Sequence, residues 1–283
     1  MNGLIRTILL FSIITIFLGL IGFRLGGFIG VAIGIAISGM IELFVYYNAD
    51  LLTLRLYKTQ PLSSNDEKFI LPLLEDLTFK LDMFEPEIYV NNCSQANIFS
   101  VGRNPKNASI VLTQGLLDLL NDDELKAVLA HELYLIKYYY TLIMGSTAII
   151  SGSILMLSNL IDLFVPKENI TKRNKFKLIF LNILGPLASF VVQGSISREL
   201  QFKADRNAAL ICENPLALAT ALEKIYNSCL NNENIVVEEN PSFSHMFIVN
   251  PLNNILLITF FATHPSNKQR IERLLDINSG GSR

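Results

Sequence analysis

Four long apolar runs, set between polar segments with helical or strand periodicity, organise this chain. The first lies between Arg6 and Arg24 (Thr7 to Phe23), and the second follows at once, from Leu25 to about Tyr47, interrupted by Glu42. A third runs from about Tyr138 to Ile161, and a fourth from Leu178 to Ser197. Each approaches the roughly 20 residues needed to cross about 30 Å of hydrocarbon. No small-residue cleavage site follows the first run, so the first two are expected to form a retained hairpin, not a signal peptide.

Between the second and third runs the pattern changes. Ser63 to Glu67 is rich in helix-capping residues. Phe69, Leu73, Leu74, Leu77 and Leu81 then follow at helical spacing, with Pro72 in the first turns as an argument for a later start or a kink. Strand-like pieces lie at Glu87 to Val90, Asn97 to Val101 and Ser109 to Leu112, the last two separated by the turn formers of Gly102 to Asn107. Thr113 is placed to cap a short helix through Leu120. Asn121 and Glu124 form a capping-box-like pair before a helix whose Val128, His131 and Leu135 share one stripe. The polar, acidic stretch from Asn231 to Ser244 reads as a mobile loop.

Composition agrees with a membrane protein. Of 283 residues, 51% are hydrophobic and 17% charged, against about 25% charged in soluble domains. A net charge of −2 gives no nucleic-acid footprint. Cys93, Cys212 and Cys229 form no C-x-x-C pair and leave an odd count, which argues against a disulfide framework or a thiolate metal site and fits a reducing compartment. Charge does not fix the orientation. An even number of spans would place the basic loop Lys167, Lys172, Arg173, Lys175 and Lys177 opposite the central polar segment, against the positive-inside rule.

The candidate chemistry lies in Ala130-His131-Glu132-Leu133-Tyr134-Leu135. A complete H-E-x-x-H on a helix sets two imidazoles one turn apart on one Zn²⁺, and its Glu activates the metal-bound water. Here Leu135 stands where the second histidine belongs. Taken alone, a His-Glu dipeptide on an apolar stripe is more often a core histidine than a ligand.

The flanks carry more. Gln95 to Pro105 (Q-A-N-I-F-S-V-G-R-N-P) resembles the N-A-F-A-T-G-R-N-P stretch of the HtpX family of membrane-bound zinc metalloproteases. Ile110 to Leu117, Asp123 to Leu133, Ser244 to Pro251 and Thr263 to Ser266 are similar to that family in the same order. The resemblance implies an α+β, mainly helical fold: a zincin-like domain combined with about four transmembrane helices. Residues 1–48 would be an N-terminal hairpin, 49–140 the first part of the domain, 141–197 a second hairpin and 198–283 the rest of the domain.

By the same resemblance His131 is the first zinc ligand and Glu132 the general base. The third ligand would be the Glu of an S-R-x-x-E-x-x-A-D segment, matched here by Ser197 to Asp205, which puts Gln201 at that position. Leu135 has no lone pair, and a neutral amide is a poorer donor than a carboxylate, so zinc is expected to be lost or weak. Without it nothing lowers the pKa of a water for Glu132. Asp205, one turn from Gln201, is the rescue candidate, whereas Glu199 points away. His245 and His264 match family positions that are not ligands.

The expected function is therefore that of an HtpX-like pseudoprotease, linked by resemblance to membrane-protein quality control. The alternative is an active zinc metalloendopeptidase with substitute ligands that degrades misfolded membrane proteins. Expected partners are the lipid bilayer and unfolded or membrane-protein clients or a partner protease, with the strand Asn97 to Val101 offered for strand addition. The expected location is the cytoplasmic membrane of a prokaryote, multi-pass, with the zincin-like domain on the cytoplasmic side.

Overall fold

The computed structural model describes residues 2–156, 186, 188–232, 234–253 and 264–279. The chain opens with α1 (Gly3–Leu56), which reverses at Gly26 and Gly27, where the backbone leaves helical dihedrals. Gly27 has φ of 60° and ψ of −141°, a region that favours glycine. The two arms touch backbone to backbone: a Cβ on Gly22 would meet the Gly30 carbonyl oxygen at 2.0 Å. Thr15 Oγ1 reaches across to Ser38 Oγ at 3.0 Å and donates to Glu42 Oε1 at 2.7 Å. The first two apolar runs thus form a hairpin.

Of about four expected spans, the described residues contain one helix long and apolar enough to cross a membrane, Gly3–Leu56, and one shorter apolar helix, Tyr140–Leu155. The third run ends its described part at Met156. Most of the fourth lies outside the described residues, although 188–195 are helical.

The remainder is mainly helical around a small sheet ordered β1 (Gln60–Pro61), β2 (Glu87–Asn91), β4 (Asn107–Thr113), β3 (Ile98–Asn104). Strand β2 is parallel to β4, and β3 runs antiparallel to β4. The β3–β4 hairpin turns more tightly than the Gly102 to Asn107 expectation. Asn104 Oδ1 accepts the backbone N–H groups of Lys106 and Asn107, closing the turn with its own side chain.

Helix α2 (Ser64–Leu81) starts at its Ser63 cap and tolerates Pro72 inside. Its buried stripe is Ile70, Leu74, Leu77 and Leu81, while Phe69 is 46% exposed, so the stripe lies one position along from Phe69. Helix α3 (Gln114–Leu119) is capped by Thr113. Helix α4 (Asp122–Lys137) begins with the full Asn121–Glu124 capping box.

Helix α5 (Tyr140–Met156) follows a sharp turn at Tyr139, whose φ is 61°. The end of α4 receives the start of α1, because Gly3 N–H donates to the Tyr138 carbonyl at 3.0 Å. Beyond the apolar region come α6 (Arg198–Cys212), α7 (Pro215–Asn231), α8 (Ile235–Glu239), a 3-10 helix (Pro241–Met246) and α9 (Asn267–Asn278). The expected loop from Asn231 to Ser244 is instead largely ordered. Val237 and Phe243 are buried apolar anchors that its polar composition concealed.

Two apolar clusters meet at α4. Val128, Leu129, Leu133 and Ile136 face the larger one, shared with α2, α3, α7 and the sheet. Tyr134 and Leu135 face the second, with Phe99, Tyr140, Met144, Leu200, Ala204 and Phe247. The candidate stripe lies at this boundary.

Candidate functional site

Helix α4 brings His131, Glu132 and Leu135 into the interior, where their exposures are 0%, 0% and 1%. Helix α6 adds Gln201 at 2% and Asp205 at 3%. His131 Nδ1 stands 2.9 Å from Asp205 Oδ1. Its Nε2 has no protein partner among the described residues.

Asp205 is otherwise fully engaged. Arg270, 1% exposed on α9, donates from Nε to Oδ2 and from Nη2 to Oδ1, both at 2.7 Å. This bidentate fork fits a carboxylate well. Burial alone would raise the Asp205 pKa, but the charge and hydrogen bonds of Arg270, with His131 beside it, hold it at about 2. Arg270 Nη1 also donates to the Ile248 carbonyl at 2.5 Å.

Glu132 takes a different environment. Its Oε2 accepts from Ser100 Oγ at 2.6 Å, while Oε1 has no protein partner among the described residues. Burial pushes its pKa up, against the opposing effects of His131 and Ser100. One turn beyond His131, Leu135 packs into the second apolar cluster. Gln201 is buried with its Oε1 unpartnered. Each buried acceptor without a partner costs about 1–3 kcal/mol.

The donors present do not fit a catalytic zinc ion. Such a site needs three protein ligands and an open position for water. Leu135 offers none, Gln201 only an amide oxygen, and both oxygens of Asp205 are held by Arg270. Among the described residues no group of three or more His, Cys, Asp or Glu could hold a metal ion. His245 is also buried, with Nε2 3.0 Å from the Met144 carbonyl; burial lowers its pKa to about 4. His264 places Nε2 2.7 Å from the Phe247 carbonyl.

The strand expected to receive an extended segment already has a partner. Ile248 N–H donates to the Ile98 carbonyl at 3.0 Å, and Phe99 bridges Phe247. Asn97 Nδ2 donates to the Val249 carbonyl at 2.8 Å, fixing the same contact. Further along, Val101 and Gly102 are buried, and the crevice beside them, bounded by Tyr46 and Thr141, has a volume of about 10 Å³. That is about the room one water needs.

Sequence reasoning gave no role to Ser100 or Arg270. Ser100 lay inside a motif but looked like an ordinary strand residue. Arg270 carried a usable signal: it sits four residues before Leu274, on the stripe that α9 buries.

The sequence profile of peptidase family M48 matches residues 67–278. A crystal structure of Ste24p from S. mikatae is similar at 19% identity, with a TM-score of 0.47. The match covers 96% of this chain and 65% of that one, so the chain spans just under two thirds of that protein's length.

Proposed function

The chain belongs to peptidase family M48, and we propose that within it this is a catalytically inactive, HtpX-like membrane member that binds clients without cutting them. Leu135 carries this reading. At the family's second ligand position it is a fully packed core side chain, where an active enzyme needs a lone pair. Gln201 and the engaged carboxylate of Asp205 leave no evident substitute.

The surviving residues have structural work. Glu132 holds Ser100 and so ties α4 to β3, and Asp205 joins α4, α6 and α9 through His131 and Arg270. At Ile98 and Phe99 the edge of β3 is already bridged by Ile248 and Phe247, which bars strand addition at those two positions. The apolar hairpin supports anchorage in a bilayer; the multi-pass arrangement, with the protease-like domain on the cytoplasmic side of a prokaryotic inner membrane, rests on the family resemblance alone. By resemblance the clients would be membrane proteins under quality control, or a partner protease acting on them.

Purified full-length chain, incubated with casein and zinc, tests the reading. No cleavage is expected. Chelator-sensitive cleavage that Glu132→Ala abolishes would show an active enzyme with unusual ligands.

A further inference from the structure

One open cleft shares no lining residue with the protease-like site. It has a volume of about 510 Å³ and lies along the hairpin, lined by Ile8, Phe11, Ser12, Thr15, Ile16 and Glu42. Glu42 is the only charged residue between Arg24 and Asp50. Its Oε1 accepts from both Thr15 and Ser38 at 2.7 Å, and its Oε2 has no partner among the described residues.

Helix rise places Glu42 about 22 Å from the Gly27 turn and about 9 Å from Asn48, well inside a hydrocarbon layer about 30 Å thick. A carboxylate there is costly, and such groups pair with one another or with polar partners inside a bundle. Here two hydroxyls fix one oxygen, and the other stands at an open cleft.

We infer that the cleft beside Glu42 is an intramembrane docking site for a client's transmembrane helix bearing a lysine or arginine. Charge complementarity selects this occupant. An acyl chain brings no donor to Oε2. A second copy of the hairpin brings no cation to this depth, because Thr7 to Phe23 and Leu25 to Ala49 contain no lysine or arginine. Ile8, Phe11 and Ile16 would pack against the apolar flank of the incoming helix.

This inference rests on the membrane reading of the hairpin, and the two can fail separately. Full-length protein is reconstituted in liposomes with a labelled Leu/Ala transmembrane peptide carrying one lysine about 9 Å from its end, or with its all-apolar counterpart. Energy transfer should report association at least tenfold tighter for the lysine peptide. Glu42→Gln keeps an oxygen for Thr15 and Ser38 and should remove the preference, while Glu42→Asp should retain part of it. Hairpin insertion is checked with Gly26→Cys, a position with open space around its Cβ, and an impermeant thiol reagent. An inserted hairpin with equal association of both peptides, or a preference surviving in Glu42→Gln, overturns the docking site alone. A hairpin reactive from the domain side overturns the membrane reading and the docking site with it.

Discussion

Replacing Leu135 by alanine should cost the protein about 3 kcal/mol. The side chain is 1% exposed and packs in the cluster that holds Phe99, Tyr134, Leu200, Ala204 and Phe247. Removing its outer carbons forfeits about 2 kcal/mol of transfer free energy. The cavity left between two helices and a strand adds to this, within the range of about 2–5 kcal/mol seen for buried Leu→Ala changes. For a domain of this size the melting midpoint should fall by about 6–12 °C.

The chain has no tryptophan, so the reporter should be a thiol. Cys229 is 3% exposed with its pKa pushed up by burial to about 12, and becomes reactive when the domain opens. A thiol-reactive dye during heating in detergent therefore gives the midpoint. A drop under about 2 °C would refute the reasoning, because position 135 would then be slack instead of a core position.

Glu132→Gln should raise stability at pH 8. Burial raises the folded pKa of Glu132 above its ordinary value of 4.5, so the ionised form burdens the folded state at higher pH and that burden is gone below 4.5. The gain should disappear by pH 4, measured by thermal melting followed by circular dichroism. His245 has the opposite consequence: its folded pKa of about 4 lies below the ordinary 6.5, so the unfolded chain takes up the proton first. Stability should fall by about 1.4 kcal/mol per pH unit between pH 6.5 and 4 from this residue, and His245→Gln should flatten that part of the profile. Asp205→Ala should cost about 3–5 kcal/mol by leaving Arg270 charged, buried and unpaired, and Arg270→Met added to it should recover part of the loss in thermal melts.

Much of the fold was legible in the sequence because local signals and burial agreed. Asn121 and Glu124 announced the start of α4, and the break at Arg24 between two apolar runs announced the hairpin, whose reversal the structure puts at Gly26 and Gly27. The order of α8 and the 3-10 helix was not legible, since Val237 and Phe243 find their pockets only in tertiary contact. At the site, the burial of Leu135 followed from its place on the apolar stripe of α4, whereas Gln201 was singled out only by the family resemblance. The capture of Asp205 by Arg270 could not, because the two lie 65 residues apart and nothing local links them. The same holds for β3, whose edge looked free in sequence but meets Phe247 and Ile248 in the fold.

Zinc content tests the central claim most directly. The full-length protein, purified in detergent and equilibrated with micromolar zinc, should carry far less than one zinc per chain by elemental mass spectrometry. The Leu135→His, Gln201→Glu double variant, which returns the two missing donors to α4 and α6, should approach one. A single tightly held zinc in the unaltered chain would contradict the claim that this protease site has lost its metal.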